Sequence, residues 1–596
     1  MIMPETKTDS ISDGKSQGNS PVKWAVILLV LFGFLLRLLA VSQRESIGVD
    51  SVRYLTFATN YLSGIYYTYG PTGLRELPDI GYPVFMVIFM KVFRLNVETA
   101  AVAVSLIAGT LTLVLVYFLA LRASGRRTAL YALFLAAVCQ PLIEYSSLVQ
   151  TESLFIMLMA VAAYMSYATT RRGYNTFWFM IGGITSAYAY LTRGIGITFF
   201  LIFPLTTFLV ARCDGAISHP KVKSKFGIGI AMFLVGFILI AMPYMIMLYK
   251  TYDRFTLSDQ SIWHSTRVWH PEVNFSADPR YDGTLKSNGS DYLINTDEFF
   301  KFPPVSDFTK LKSFVVNYLR NQVGIYYYHL RELFPPLILI LIGLGLFALQ
   351  WDSQFRKTAL LMGMWSVPFL ILQPLYYTEA RYIAPIAIFL MIFAGRGAVA
   401  LIEWFKNTFP KTNPLKIEWI IAVALFVLMT PSMVYPLTHK GPKYSYTDLR
   451  DAGNFLAGYT QNEEYVGIMD YFPIAGYYAG ADRILLIPDA DLDGVIWFAN
   501  RNDIGYMDGE NWIPNKERIG YLILAERKIP LARPKLKNLL YTDEIPYSLT
   551  LIYDNNDESG YKVRIFMIKN LTAEKEWIRE IKKDSSPPPP FYEGGE

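Results

Sequence analysis

Residues 24–42 read WAVILLVLFGFLLRLLAVS, nineteen positions in which Arg37 is the only charged side chain. A helix needs about 20 mostly apolar residues to cross the hydrocarbon core of a bilayer. This run meets that length and exceeds the apolar core of a cleavable leader, and residues 1–23 ahead of it are polar. It is therefore expected to stay in the mature chain as a first membrane span. Working outward from it, similar blocks recur near 99–121, 128–143, 153–169, 175–191, 195–211, 227–249, 334–350, 358–375, 382–402 and 417–437. The reading is a polytopic α-helical membrane protein of about eleven transmembrane helices. Residues 82–95, opening Gly81-Tyr82-Pro83, are too short to span and suit an interfacial or re-entrant helix.

Composition agrees with that reading. Of 596 residues, 15% are aromatic and the net charge is only +5, so neither a large soluble core nor a nucleic-acid partner is expected. Cys139 and Cys213 are the only cysteines, which excludes a disulfide framework. Lys and Arg gather at Lys15 and Lys23, Arg122 to Arg127, Arg171 and Arg172, Lys221 to Lys225, Arg356 and Lys357, and Arg396 to Lys416. These clusters alternate with the other connections, so the positive-inside rule puts them in the cytoplasm. A cytoplasmic tail (1–23) and a transmembrane domain (24–437) follow, with long outer loops at 43–98 and 250–333. Residues 438–580 carry short apolar runs at 465–469, 484–488, 519–525, 549–553 and 562–568, between helix-compatible stretches such as 448–459. They are expected to form an extracytoplasmic α/β domain, with a disordered, proline-rich tail at 581–596.

The residues able to do chemistry collect on the outer face. Asp50, in Ser46-Ile47-Gly48-Val49-Asp50-Ser51-Val52-Arg53-Tyr54, follows the first span. It suits a general base toward an acceptor hydroxyl, and equally a helix N-cap for 51–63. Glu152, after Gln150-Thr151, opens a span and faces the same side, although the helix dipole alone favours a carboxylate there. Arg193, in Leu191-Thr192-Arg193-Gly194, lies at membrane depth, where a cation is either paired and functional or snorkels to headgroups. Arg381, in Tyr376-Tyr377-Thr378-Glu379-Ala380-Arg381-Tyr382-Ile383-Ala384-Pro385, suits a bidentate phosphate contact, with Glu379 as its neighbour or partner. Arg37 either joins this group or snorkels.

In order and sidedness these motifs resemble the GT-C superfamily of membrane glycosyltransferases, near the protein O-mannosyltransferase and lipid A aminoarabinose transferase group. The likeness covers about residues 24–437, with a family-like outer domain after it. The family's first-loop Asp and Tyr match Asp50 and Tyr54, while Ser51 stands where Glu is common. Its Thr-(Asp/Glu) pair matches Thr151-Glu152. Its Leu-Thr-Lys-Gly matches Leu191-Thr192-Arg193-Gly194 with Arg for Lys, and its Arg-Tyr-Leu-X-Pro matches Arg381-Tyr382-Ile383-Ala384-Pro385. The resemblance implies a GT-C-like fold and transfer of a sugar from a polyprenyl-phosphate donor to a lipid, glycan or protein acceptor. The polar N-terminus and the plain basic loops suit the outer face of a bacterial inner membrane, with an endoplasmic reticulum membrane as the alternative. Asp50 and Glu152 are the catalytic candidates. Arg193, Arg381 and Arg37 are the candidates for the lipid phosphate, and Tyr54, Glu379 and Tyr82 for sugar or acceptor. Membrane lipids are the other expected partners, and no cofactor or metal is implied.

Other signals carry less. Asp489-Ala490-Asp491-Leu492-Asp493-Gly494 imitates half an EF-hand loop, but position twelve is Asn500. His264 and His270 lack the spacing of a one-turn ligand pair, and Trp263 and Trp269 suit an interfacial belt. Asn274, Asn288 and Asn570 begin glycosylation tripeptides. A transporter would place its ionisable groups near the bilayer midplane and repeat its halves, and neither is seen here. An oligosaccharide ligase or polymerase using a diphosphate-linked donor is the alternative nearest in chemistry.

Overall fold

A computed structural model describes residues 20–69, 75–171, 173–216, 219–252, 256–258, 308–375 and 379–438. In the C-terminal part it describes 445–460, 466–481, 484–485, 487, 491–499, 505–508, 511–514, 518–527, 529–555 and 561–569. Lys15, Arg172, Trp263, His264, Trp269, His270, residues 376–378, Asp489, Asn500, the three glycosylation tripeptides and the 581–596 tail lie outside the described residues. The chain divides into two compact units, one with the helices up to Thr438 and one with most of the chain from Tyr446 on.

The first unit is helical throughout. Its main helices are α1 (Ser20–Ser42), α2 (Val49–Leu62), α3 (Gly81–Phe93), α4 (Val97–Ala137), α5 (Gln140–Ser146), α6 (Glu152–Arg171), α7 (Thr176–Thr192), α8 (Phe199–Cys213) and α9 (Pro220–Tyr252). After them come α10 (Phe308–Gly324), α11 (Pro336–Phe347), α12 (Ser353–Val367), α13 (Ala387–Thr408) and α14 (Pro414–Thr438). Every apolar block of the sequence falls in a helix. Among the described residues eight helices are long and apolar enough to cross a membrane, and nine if the bent pair Phe314–Leu333 and Pro336–Phe347 is one span. Two features account for the difference from eleven. The block at 99–121 and the larger part of that at 128–143 join in α4, which breaks at Ser124 and Gly125, the latter in the left-handed region at φ 83°. Helix α7 has only 17 residues and carries Thr, Ser and Tyr.

Large apolar side chains stay uncovered on these helices: Leu201 and Leu239 are each 67% exposed and Trp419 is 73% exposed. Water would penalise such a surface, whereas hydrocarbon does not. The chain is a multi-pass membrane protein. Small residues let the inner helices close up. A Cβ on Gly345 of α11 would sit 1.9 Å from the Phe393 carbonyl oxygen, and one on Gly397 of α13 would sit 1.9 Å from that of Leu341. The two backbones touch, as close helix packing in membranes requires.

Polar contacts sort the connections into two sets. Arg127, at the α4 break, pairs with Glu403 at 2.9 Å and Glu418 at 3.2 Å, and Lys406 pairs with Glu418 at 2.7 Å. Lys357 pairs with Asp214, and Gln354 donates to the Arg122 carbonyl at 2.5 Å. All of these residues lie in or beside the basic loops. The connections left over by the charge rule meet one another instead, at the site described below.

In the second unit, α15 (Thr447–Thr460) precedes β1 (Val466–Asp470), α16 (Ile474–Tyr478), β2 (Ile484–Leu485) and α17 (Leu492–Ala499). The pair β3 (Gly505–Asp508) and β4 (Asn511–Pro514) is antiparallel. Then come β5 (Arg518–Ala525), β6 (Leu549–Asp554) and β7 (Val563–Ile568). The main sheet runs β2-β1-β5-β7-β6, with β1 parallel to β2 and β5, and β7 antiparallel to β5 and β6. All five apolar runs read from the sequence are strands of this one sheet. Met469, Leu522, Leu524, Phe566 and Ile568 share its core with Val495 and Ile496 of α17. Asp491 accepts from the Gly494 amide at 3.0 Å and so caps α17.

Candidate active site

Four connections that are distant in sequence meet here. The first leads into α2. Gly48 occupies the N-cap with extended geometry, and Asp50 is the second residue of the helix. The N-cap reading of Asp50 is thereby corrected. The cap interaction comes from Ser51, whose Oγ accepts from the Gly48 amide at 3.1 Å. Asp50 has its carboxylate free for other work. The second connection leads into α6, where the Thr151 carbonyl accepts the Phe155 amide at 2.9 Å and Glu152 is the first helical residue. The third is the break after α7. The Arg193 amide donates to Ala189 at 2.9 Å, closing the helix, and the next turn starts at Gly194. The fourth is the helical turn Ala380–Ile383 ahead of α13, entered from Glu379.

Two ion pairs organise the meeting. Arg193 Nη1 lies 2.7 Å from Glu152 Oε1, with the Glu152 side chain only 3% exposed and that of Arg193 14%. Glu152 is neither a solvated helix start nor an idle carboxylate, and Arg193 does not snorkel. Arg381 Nη1 lies 2.5 Å from Asp50 Oδ2, and its Nε lies 2.7 Å from Glu379 Oε2. The ring of Tyr382 joins the pairs: the Arg193 guanidinium carbon is 5.0 Å from its centre and that of Arg381 is 5.1 Å. The Tyr382 hydroxyl accepts from Arg381 Nη2 at 3.3 Å. Beneath lies an aromatic floor in which Phe155 meets Phe199 at 5.6 Å and Phe369 at 6.0 Å, and Phe199 meets Trp365 at 4.8 Å.

Electrostatics follow from this layout. The surrounding protein desolvates Asp50 and pushes its carboxyl up. The charge and hydrogen bond of Arg381, with the charges of Arg53 and Arg193, outweigh that push and hold the carboxyl below the usual carboxylate range. Tyr54 is 6% exposed, and burial pushes its phenol up, as do the charges of Asp50, Asp79 and Glu152. It therefore stays a neutral hydroxyl amid three carboxylates. Tyr82, fully buried, backs it with an edge-on ring contact at 5.9 Å. The Tyr82 hydroxyl donates to the Ala101 carbonyl at 2.7 Å and meets Ser105 Oγ at 2.9 Å, so it fastens α3 to α4.

Arg37 goes elsewhere. It is fully buried in α1, and its guanidinium donates to the carbonyls of Gly33 (2.9 Å), Ala137 (3.3 Å) and Ala136 (3.4 Å). It caps the C-terminus of α4, where a cation is favoured. Two neighbours of the site were passed over in the sequence. Tyr382 stands inside the quoted motif beside Arg381. Asp79, 3% exposed, accepts from the Tyr244 hydroxyl at 3.4 Å and precedes Gly81-Tyr82-Pro83, the motif that marked α3.

The profile of the dolichyl-phosphate-mannose-protein mannosyltransferase family matches residues 79–244, which include Asp79, Glu152 and Arg193 but neither Asp50 nor Arg381. No curated protein matches the sequence. Among solved structures, the archaeal oligosaccharyltransferase AglB from Archaeoglobus fulgidus, in complex with an inhibitory peptide and a dolichol-phosphate, aligns with a TM-score of 0.55 at 13% identity. That alignment covers 84% of this chain and 69% of AglB. ArnT from Cupriavidus metallidurans aligns in the apo state with a TM-score of 0.53 at 14% identity, covering 92% of this chain and 98% of ArnT. ArnT bound to undecaprenyl phosphate gives 0.51 at 13% identity over the same shares, 92% and 98%. At such identities the likeness is one of fold, and the fold of this chain is that of the GT-C superfamily of membrane glycosyltransferases.

Proposed function

We propose that this protein transfers a sugar from a polyprenyl-phosphate donor to a hydroxyl-bearing acceptor at the outer face of a bacterial inner membrane, with inversion at the anomeric carbon. The observation that carries the reading is the convergence of Asp50, Glu152, Arg193 and Arg381 around one tyrosine ring. Two arginines beside an apolar floor suit a phosphate on a lipid chain, since guanidinium binds phosphate through paired hydrogen bonds and stays charged. Support also comes from the relatives of like fold, of which AglB was solved with a dolichol-phosphate and ArnT with undecaprenyl phosphate.

In the proposed reaction the donor phosphate takes Arg381 over from Asp50. The released carboxylate accepts the proton of the acceptor hydroxyl as that oxygen attacks the anomeric carbon. The bond from that carbon to the phosphate oxygen breaks, and the polyprenyl phosphate leaves with the electron pair. Arg193 and Arg381 stabilise the charge that develops on the leaving oxygen. Glu152 holds Arg193, Glu379 shares Arg381, and the Tyr54 hydroxyl is offered to the sugar or the acceptor. The proton on Asp50 returns to water.

The test is turnover. Purified protein and Asp50→Asn are offered polyprenyl-phosphate sugars, and loss of sugar from the lipid is followed. Removing a general base slows the chemical step by about 10²–10⁴-fold. A folded Asp50→Asn protein that works as fast as wild type rejects Asp50 as the base, and a wild type that consumes no donor rejects the donor class.

A further inference from the structure

Ser51, the third residue of α2, bonds to two separate parts of the chain. It is 1% exposed. Its Oγ accepts from the Gly48 amide at 3.1 Å and donates to the Val149 carbonyl at 2.8 Å, across 98 positions of sequence. Its own amide bonds the Gly48 carbonyl at 3.1 Å. Nearby, Arg44 Nε donates to Ser147 Oγ at 3.1 Å, a second tie between the same two segments.

From these contacts we infer that Ser51 is a positioning residue, which fixes the Asp50 carboxylate relative to the Glu152–Arg193 pair. The inference rests on the functional reading above. Gly48 has no side chain to cap α2, so the first turn, which contains Asp50, takes its orientation from the Ser51 oxygen. That oxygen is both donor and acceptor, and both capacities are in use. The Val149 carbonyl it holds lies three residues before Glu152. One hydroxyl thus joins the turn carrying the base to the segment carrying the partner of Arg193. A carboxylate at this position would be acceptor-only and would face the Val149 carbonyl without a hydrogen to give it. Alanine leaves the Gly48 amide and the Val149 carbonyl without their partner.

The experiment compares Ser51→Ala, Ser51→Thr and Ser51→Glu in the full-length protein, with a polyprenyl-phosphate sugar as donor. Misplacement of a catalytic group by about 1 Å costs up to about 10²-fold in rate. Ser51→Ala is expected to lower kcat at least tenfold while donor KM stays within about twofold, because Arg193 keeps Glu152. Ser51→Thr keeps the hydroxyl and restores kcat, whereas Ser51→Glu does not. Amide exchange over residues 48–52 is expected to quicken in the alanine variant and return in the threonine variant. Unchanged kcat and exchange in Ser51→Ala overturn the assignment, and so does a loss that threonine fails to restore. A wild type that consumes no donor overturns the functional reading itself, and with it the catalytic role of the tie.

Discussion

Arg381 and Asp50 are 331 positions apart in the chain, and their side chains meet at 2.5 Å. The contact closes a ring of connections that runs from α2 through the segment before α6 and the break after α7 to the turn before α13. The members contribute Asp50, Glu152, Arg193, and Arg381 with Glu379, and each arginine faces a carboxylate. The consequences can be measured one at a time.

The acid limb of the rate profile reports the Arg381–Asp50 contact. With Arg381 beside it, Asp50 ionises below the usual carboxylate range. Arg381→Gln removes the largest of the influences that lower it and leaves burial, which raises it. The pH below which kcat/KM falls, which reports the donor-free protein, is therefore expected to move upward in Arg381→Gln. A limb that stays in place, or moves down, contradicts the contact.

The Glu152–Arg193 pair is expected to matter for folding as well as for binding. Both side chains are largely buried, and removing one member of a buried pair costs about 3–5 kcal/mol by stranding the other. Glu152→Ala should show a clear fall in Tm in detergent. The double change Glu152→Leu with Arg193→Met should recover most of that loss while undecaprenyl phosphate no longer protects the protein thermally. Equal melting of wild type and Glu152→Ala would remove the pair from the account.

Gly81 tests how the site is braced. A Cβ there would lie 2.4 Å from Thr192 Oγ1 and 2.7 Å from the Thr192 amide nitrogen, one residue before Arg193. Gly81→Ala pushes α3 away from the end of α7 and shifts Arg193. Donor KM is expected to rise several-fold, while Gly227→Ala, where a Cβ meets nothing within 4 Å, leaves it unchanged. Identical KM values for the two variants would show that the close approach does not steer Arg193.

Asp470, at the end of β1, makes the second unit sensitive to pH. It is 2% exposed, and burial pushes its carboxyl up to about 8, against the lowering effect of the amides of Phe472, Gly476, Tyr471 and Ala475. The folded form holds a proton that the unfolded chain, titrating at about 3.9, releases. Stability is thus greatest below about pH 4 on this account, declines as pH rises, and reaches its floor above about 8. Amides of Val466–Asp470 should exchange faster at pH 9 than at pH 6 after correction for intrinsic rates, and Asp470→Asn should flatten the difference. A slope that survives in Asp470→Asn has another source.

Much of this was legible in the sequence because a bilayer imposes a length on apolar runs and a sign on the loops between them. The apolar helices and the five strands of the C-terminal sheet follow from hydropathy and period alone. The ion pairs required long-range geometry: nothing near Arg193 names Glu152, and nothing near Arg381 names Asp50. Arg37 resembled the other arginines in composition and differs only in what it reaches, the carbonyls that end α4. The N-cap of α2 was misread because Asp caps by preference. Here a glycine takes the cap position, and a serine three residues later supplies the oxygen.

In the proposed reaction the pairing of Asp50 and Glu152 with the two arginines would also set how the cycle ends. An arginine without a partner in so apolar a setting would hold a phosphate too firmly to let it go. Asp50 and Glu152 supply competitors of the same charge within reach. On that proposal, once Asp50 has given its proton to water and the spent lipid phosphate leaves Arg381, the carboxylate would close on Arg381 again and restore the resting pair. The proposed proton acceptor would then also clear the product, so that turnover and release would share one side chain.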